Sequence, residues 1–236
     1  MKSKILYTVG DSWTYGDDLK NPQIESYPYL LSKRIGCDLV NDGKNFAGND
    51  WIFRKSVEFI TSNKIENIHT FIVGWSNHCR REENFKFFYG GSPKIEKAFR
   101  ARDSQYDLIK EKVGNLSRVV LKNKLLGDED ETSKIISELL YNKELSIIKS
   151  LTYMVSLQEL LKSKNINYVF YFPWYDILTE EHNINDIYSQ IDRNYCLGPT
   201  IDGDKIPTDN ARHPNKKEHQ WISDKLYDFI GDKYGI

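Results

Sequence analysis

Two features of the sequence predict an α/β fold, a parallel sheet covered by helices on both sides. Short apolar runs of strand length alternate with longer stretches whose apolar residues recur at helical spacing, and strands that alternate with helices imply βαβ crossovers. A third feature directs attention to function. A polar cluster follows each strand-like run, and ligands bind at the carboxyl edge of open α/β sheets.

Within residues 4–9, Ile5-Leu6-Tyr7-Thr8-Val9 is long enough for one buried strand and too short for a helix. Gly10 punctuates the run, Ser12 falls where strand gives way to loop, and Tyr15-Gly16-Asp17-Asp18 reads as a turn. A helix is expected around Tyr27-Pro28-Tyr29-Leu30-Leu31, where Pro28 suits a first helical position. Further strands are predicted at 38–41, 69–74 and 167–172. Helices are predicted over 50–63, with Trp51, Ile52, Val57, Phe59 and Ile60 on one side, over 144–163, and over 215–233, where Trp221, Ile222, Leu226, Phe229 and Ile230 share a face. Residues 80–143 break this rhythm, being rich in charge and lacking an evident strand. They are expected to form a helical insertion in a single domain spanning 1–236. It would leave the sheet after the third strand, either as a lid or wall of the ligand site or as a solvated hairpin or oligomer contact.

The 33 basic and 34 acidic residues give a formal charge of −1, so no overall attraction to nucleic acid or anionic membrane is expected. No apolar run approaches the roughly 18 residues of a spanning helix, and the first strand is too short for a signal peptide. These features predict a cytosolic or otherwise unexported protein. Cys37, Cys79 and Cys196 are scattered and lack CxxC spacing, which predicts neither a disulfide framework nor a zinc site. Asp11, Asp17 and Asp18 cluster without a histidine or cysteine partner in sequence, so no metal or other cofactor is expected and Asp17-Asp18 reads as a solvated turn. Gly10 to Gly16 lacks GxGxxG spacing and sets bulky rings where a phosphate would need close backbone approach, which argues against nucleotide binding.

Five polar clusters are expected to converge on one rim: Gly10-Asp11-Ser12, residues 45–49, Gly74-Trp75-Ser76-Asn77, Pro173-Trp174-Tyr175-Asp176, and residues 209–214 just before the last helix. A serine hydroxyl is a poor nucleophile at neutral pH and needs a base, usually a histidine held in one tautomer by a carboxylate. It also needs donors aimed at the developing oxyanion. Ser12 supplies the hydroxyl, His213 the base and Asp209 the carboxylate, while the backbone N–H groups of Ser12 and Gly48, with a polar side chain at Ser76 or Asn77, supply the donors. Taken singly, each has a plainer reading: His213 as a helix-start residue, Gly48 as a turn position needing positive φ, and His219 as a packing or surface residue of the last helix.

GDS near the amino terminus, a glycine after the second strand, a polar cluster after the third and histidine-proline before the last helix resemble the four blocks of the SGNH, or GDSL, hydrolases. The resemblance covers the ends and middle of the chain and not residues 80–160. It implies a flavodoxin-like three-layer α/β/α sandwich, an acyl-enzyme on Ser12, His213 as base and Gly48 as oxyanion donor. NFAGNDWIFRKSVEFI, VGWSNHCRRE and HPNKKEHQWISDKL further resemble a subgroup associated with bacteriophage and bacterial genomes.

The sequence departs from the family pattern at two points. The third-block asparagine is displaced by one position, which leaves Ser76 and Asn77 as alternative donors. The position three residues before the histidine is Asn210, so Asp209, one further back, is expected to orient the ring, with Asn210 the alternative. The expected function is an esterase or deacetylase that removes a small acyl group, such as acetyl, from a hydroxyl-bearing substrate such as a carbohydrate. Asp11, Trp13, Asn49, Trp75, Trp174 and Tyr175 are the candidate substrate contacts. An acyltransferase using the same acyl-serine and a catalytically inactive binding protein are the rival readings.

Overall fold

The computed structural model describes residues 3–45, 47–62, 65–77, 143–173, 185–198 and 213–235. The chain divides into two units, Met1–Arg81 with Ile147–Ile236, and Glu82–Ser146. Nearly all of the second unit, and with it the insertion expected at 80–143, lies outside the described residues.

Five parallel strands form one sheet in the order β2-β1-β3-β4-β5. They are β1 (Ile5–Gly10), β2 (Asp38–Gly43), β3 (Ile68–Gly74), β4 (Tyr168–Tyr171) and β5 (Cys196–Leu197). The helices are α1 (Ser12–Tyr15), α2 (Pro22–Glu25), α3 (Tyr27–Ile35), α4 (Asn49–Ser62), α5 (Lys143–Ser163), α6 (Asn185–Tyr188) and α7 (Lys216–Tyr234). The expected α/β three-layer architecture is borne out, and the strand order is the flavodoxin-like one. Its topological switch point is the crevice between the carboxyl ends of β1 and β3.

Alternation along the strands assigns the two faces. Tyr7 and Val9, Phe71 and Val73, and Tyr168 and Phe170 point into a core completed by Ile52 and Ile60 of α4 and Leu151, Met154, Leu157 and Leu161 of α5. Leu6, Ile72, Val169 and Tyr171 point the other way, onto Tyr27 and Leu31 of α3 and Ile222, Leu226 and Ile230 of α7. Because both faces are covered, β1, β3 and β4 read as continuous apolar runs. β5 has only two residues, paired as Phe170 with Cys196 and Tyr171 with Leu197, and was not expected from the sequence. No helix among the described residues is long and apolar enough to cross a membrane.

α7 starts with a capping box. The Asn215 side chain accepts from the N–H groups of Lys217 and Glu218, and the Glu218 carboxylate accepts from the Asn215 N–H. One turn on, His219 is fully buried, stacks on the Tyr27 ring and accepts from the Tyr27 N–H through Nδ1 at 3.1 Å. Its neutral form therefore carries the proton on Nε2. Burial, reinforced by the nearby His213, lowers its pKa to about 4. The ordinary value is about 6.5, so in this interval the unfolded chain binds more protons than the folded one. The stability from the neutral ring is complete above pH 6.5 and is lost as pH falls toward 4. Urea unfolding at pH 5 is expected to show about 2 kcal/mol less stability from this group than at pH 7. His219→Asn keeps a side-chain acceptor for Tyr27 and should flatten that part of the pH dependence; an unchanged slope would refute the assignment.

Candidate active site

The site is built on a tight turn seated over three strand ends. Gly10, Gly43 and Gly74 lie in register at the carboxyl edge of β1, β2 and β3, Gly10 pairing with both others. A Cβ on Gly10 would lie 2.1 Å from Thr14 Oγ1, one on Gly74 2.5 Å from the same atom, and one on Gly43 2.5 Å from the Tyr15 nitrogen. Only glycines allow α1 to sit this close to the sheet. The Asn41 side chain anchors it further, donating to the Thr14 carbonyl at 3.1 Å while its Oδ1 accepts from Thr8 Oγ1 and the Gly43 N–H. Asp11 caps α1 by accepting from the Trp13 N–H at 3.1 Å. Gly16 closes the helix in the left-handed region at φ 89°, and its N–H and that of Asp17 both reach the Ser12 carbonyl.

Ser12 is thus the first residue of a helical turn directly past β1, and its side chain is buried. Ser12 Oγ lies 2.9 Å from His213 Nε2, bridging 201 positions of sequence. On the other side of the ring, Nδ1 lies 3.1 Å from Asp18 Oδ2. Asp17 Oδ2 is 3.8 Å from Nε2. With Nδ1–H donating to Asp18, Nε2 presents its lone pair to the serine hydroxyl, the arrangement in which an imidazole takes up a proton from a nucleophile. The Asp17-Asp18 turn, expected to be merely solvated, is therefore in contact with the ring. Asp209 and Asn210 lie outside the described residues.

The loop after β3 is fastened to this turn. Ser76 Oγ donates to Asp11 Oδ2 at 2.9 Å, so one buried carboxylate caps α1 and holds the neighbouring loop. Asn49, at the start of α4, accepts from the Ser76 N–H at 2.8 Å and donates to the Ser76 carbonyl and to Ser150 Oγ, each at 3.0 Å. Both amide protons of Asn49 are thus engaged, and the residue is buried. Asn49 and Asp11, both expected from the sequence as substrate contacts, are thus placed where they clamp the loop after β3 to α1 and α4. Asn77 is the next residue, also buried. Gly48 is buried at the start of α4 and has no positive φ, so a left-handed turn is not the reason for glycine there.

Trp13 and Trp75, expected at the rim, are 7% and 1% exposed and belong to the two opposite cores. Trp75 meets Phe170 edge-on at 5.4 Å. An indole packed in this way offers no face for stacking on a sugar. Trp174 and Tyr175 lie outside the described residues. The exposed ring on the Ser12 turn is that of Tyr15, 43% accessible, which the sequence reading passed over as part of the turn. Among the described residues, no group of three or more histidine, cysteine, aspartate or glutamate side chains is arranged to hold a metal ion.

The fold and the placement of the site define an α/β three-layer protein with a serine–histidine pair at its switch point. Among solved structures, the chain is similar to the psychrotrophic esterase EstA from Pseudoalteromonas sp., with a TM-score of 0.52, 12% identity and coverage of 99% of this chain and 100% of the other. It also matches a protein ascribed to the lipolytic G-D-S-L family from Desulfitobacterium hafniense DCB-2, with a TM-score of 0.49, 11% identity and 96% and 99% coverage. A third match is the acetyl xylan esterase Est2A from the rumen bacterium Butyrivibrio proteoclasticus, with a TM-score of 0.49 and 13% identity; all of this chain aligns with 65% of that one. No family model and no curated protein matches the sequence.

Proposed function

We propose that the protein is a serine esterase of the SGNH/GDSL type, and that it removes a small acyl group from a hydroxyl-bearing substrate through an acyl-serine intermediate. The observation that carries this reading is the 2.9 Å separation of Ser12 Oγ and His213 Nε2 at the carboxyl edge of the sheet. The fold shared with an esterase supports it.

In the first step the Ser12 hydroxyl proton passes to His213 Nε2 while Oγ bonds to the ester carbonyl carbon. The carbonyl oxygen becomes an oxyanion. Collapse of this intermediate breaks the bond to the alcohol oxygen, which leaves with the proton from Nε2. Water then attacks the acyl-serine with His213 as base, releasing the carboxylic acid and restoring Ser12. The Ser12 N–H, at a helix start where no intrahelical acceptor exists, and the Gly48 N–H are the proposed backbone donors to the oxyanion. Ser76 and Asn77 are the two side-chain alternatives for a further donor, both buried just past the end of β3. The Ser76 hydroxyl and N–H already donate to Asp11 and Asn49. An acetyl group suits a nucleophile that is itself buried. The carbohydrate part of the reading is supported by the exposed Tyr15 ring on the Ser12 turn.

A fluorophosphonate probe should form one adduct on folded protein, mapped to Ser12 by mass spectrometry, and Ser12→Ala should form none. A folded protein that takes no label at Ser12 would sink this reading and favour a catalytically quiet binding protein on the same fold.

A further inference from the structure

We propose that Asp18, from the same turn that carries the nucleophile, is the positioning residue that orients the His213 ring. This inference rests on the reading of Ser12 and His213 as nucleophile and base.

Three observations support the assignment. Asp18 Oδ2 lies 3.1 Å from Nδ1, the ring nitrogen opposite the one facing Ser12 Oγ. Asp18 is also one of only two non-glycine residues among those described with positive φ, at 65°. That conformation is uncommon outside glycine, asparagine and aspartate, and here it turns the residue back toward the ring. Finally, the turn itself is fixed: Gly16 is left-handed, the Gly16 and Asp17 N–H groups bond the Ser12 carbonyl, and the Leu19 N–H bonds the Gly16 carbonyl. Nucleophile and carboxylate therefore share one seven-residue segment, Ser12 to Asp18, whose internal bonds set their separation. The histidine arrives from the far end of the chain, held by Pro214, which is buried, and by the capping box at Asn215.

The Asp18 side chain is 70% exposed. An exposed ion pair contributes little beside a buried one, so Asp18 sets the tautomer and ring direction more than it supplies charge. Its removal is expected to cost far less than the roughly 10⁴-fold loss from asparagine in a buried triad. The other described groups facing the ring are Asp17 from the same turn and His219 from α7.

Asp18→Gly is the informative substitution, since glycine adopts the left-handed conformation freely and leaves Nδ1 without this acceptor. The tautomer of the neutral His213 ring is read by NMR in the whole protein, independently of turnover. In the unsubstituted protein the proton should sit on Nδ1. In Asp18→Gly a substantial share of the rings should carry it on Nε2 instead, and kcat/KM for p-nitrophenyl acetate should drop about fivefold through kcat, with KM little changed. Asp18→Asn, which keeps an oxygen acceptor, should restore the Nδ1–H tautomer and most of the rate. Asp209→Asn should leave the tautomer where it was. A tautomer indifferent to Asp18→Gly, or one that changes more with Asp209→Asn, overturns the proposal. If the tautomer changes with Asp18→Gly and no hydrolysis is found, the pairing stands and the esterase reading fails.

Discussion

Ser12→Ala is expected to lower kcat/KM toward p-nitrophenyl acetate by about 10⁴- to 10⁶-fold, the range seen when a serine nucleophile is removed from a working triad. Without the hydroxyl no acyl-enzyme forms, and what survives is the stabilisation that oxyanion donors and binding give to direct attack by water. His213→Ala should fall into the same range, because at 2.9 Å the two side chains act on one proton. The two losses should not add. With the nucleophile absent the base has no hydroxyl to deprotonate, so the double variant should be no slower than the worse single one, within about threefold. Circular dichroism and urea midpoints should be little changed, as neither side chain fills a core. Turnover that persists in Ser12→Ala, or a double variant slowed by the product of the two single effects, would show that the two residues do not operate as a unit.

The parts of the molecule legible in the sequence are those governed by burial. β1, β3 and β4 are covered on both faces, so each is a run of apolar residues bounded by polar ones, and α4, α5 and α7 carry their apolar residues at helical spacing. The expected strand at 38–41 became Asp38–Gly43, longer because pairing with β1 continues through Asn41 to Gly43. β5 left no such signature: two residues cannot display a period, and Cys196-Leu197 is a strand only because β4 lies beside it. Within the site, Ser12 and His213 were legible as motif residues at element boundaries. Asp18 was not, since an Asp-Asp turn looks like any solvated turn until a histidine 195 positions away is brought against it. Asn49, Asp11 and Ser76 were legible as polar residues beyond strand ends, but not as partners of one another. Their bonds face one another, and side-chain direction at the end of a strand is set by tertiary packing, which no spacing in the sequence encodes. Trp13 and Trp75 differ for another reason: residues next to a polar cluster were read as facing the ligand, whereas the alternation of β3 continues through Trp75 into one core and the α1 turn sets Trp13 into the other.

Gly43→Ala is the substitution expected to cost the fold most. The added methyl would lie 2.5 Å from the Tyr15 nitrogen, 2.6 Å from the Thr14 carbonyl carbon and 2.9 Å from the Tyr15 Cα, all of them backbone atoms. No rotamer change can relieve such contacts, so either the end of β2 or the Ser12 turn must move by about 1 Å, and overpacking of this kind costs about 3 kcal/mol. The turn is held by Asn41 and by the Asp11 cap, so its displacement would also carry Ser12 Oγ away from His213 Nε2. A misplacement of about 1 Å is enough to cost about 10²-fold in rate. Gly74→Ala provides the contrast. Its methyl would meet Thr14 Oγ1 at 2.5 Å and otherwise nothing closer than the Tyr27 hydroxyl at 3.5 Å. Thr14→Ala removes that oxygen, at the expense of the Thr14 hydrogen bond to the Tyr27 hydroxyl. The pair Gly74→Ala with Thr14→Ala should therefore be more stable to urea than Gly74→Ala alone, whereas Thr14→Ala should give Gly43→Ala no relief. If Gly43→Ala unfolds at the same urea concentration as the unsubstituted protein and keeps its rate, then the turn is not pressed against the strand ends and the site is not built on the glycine row.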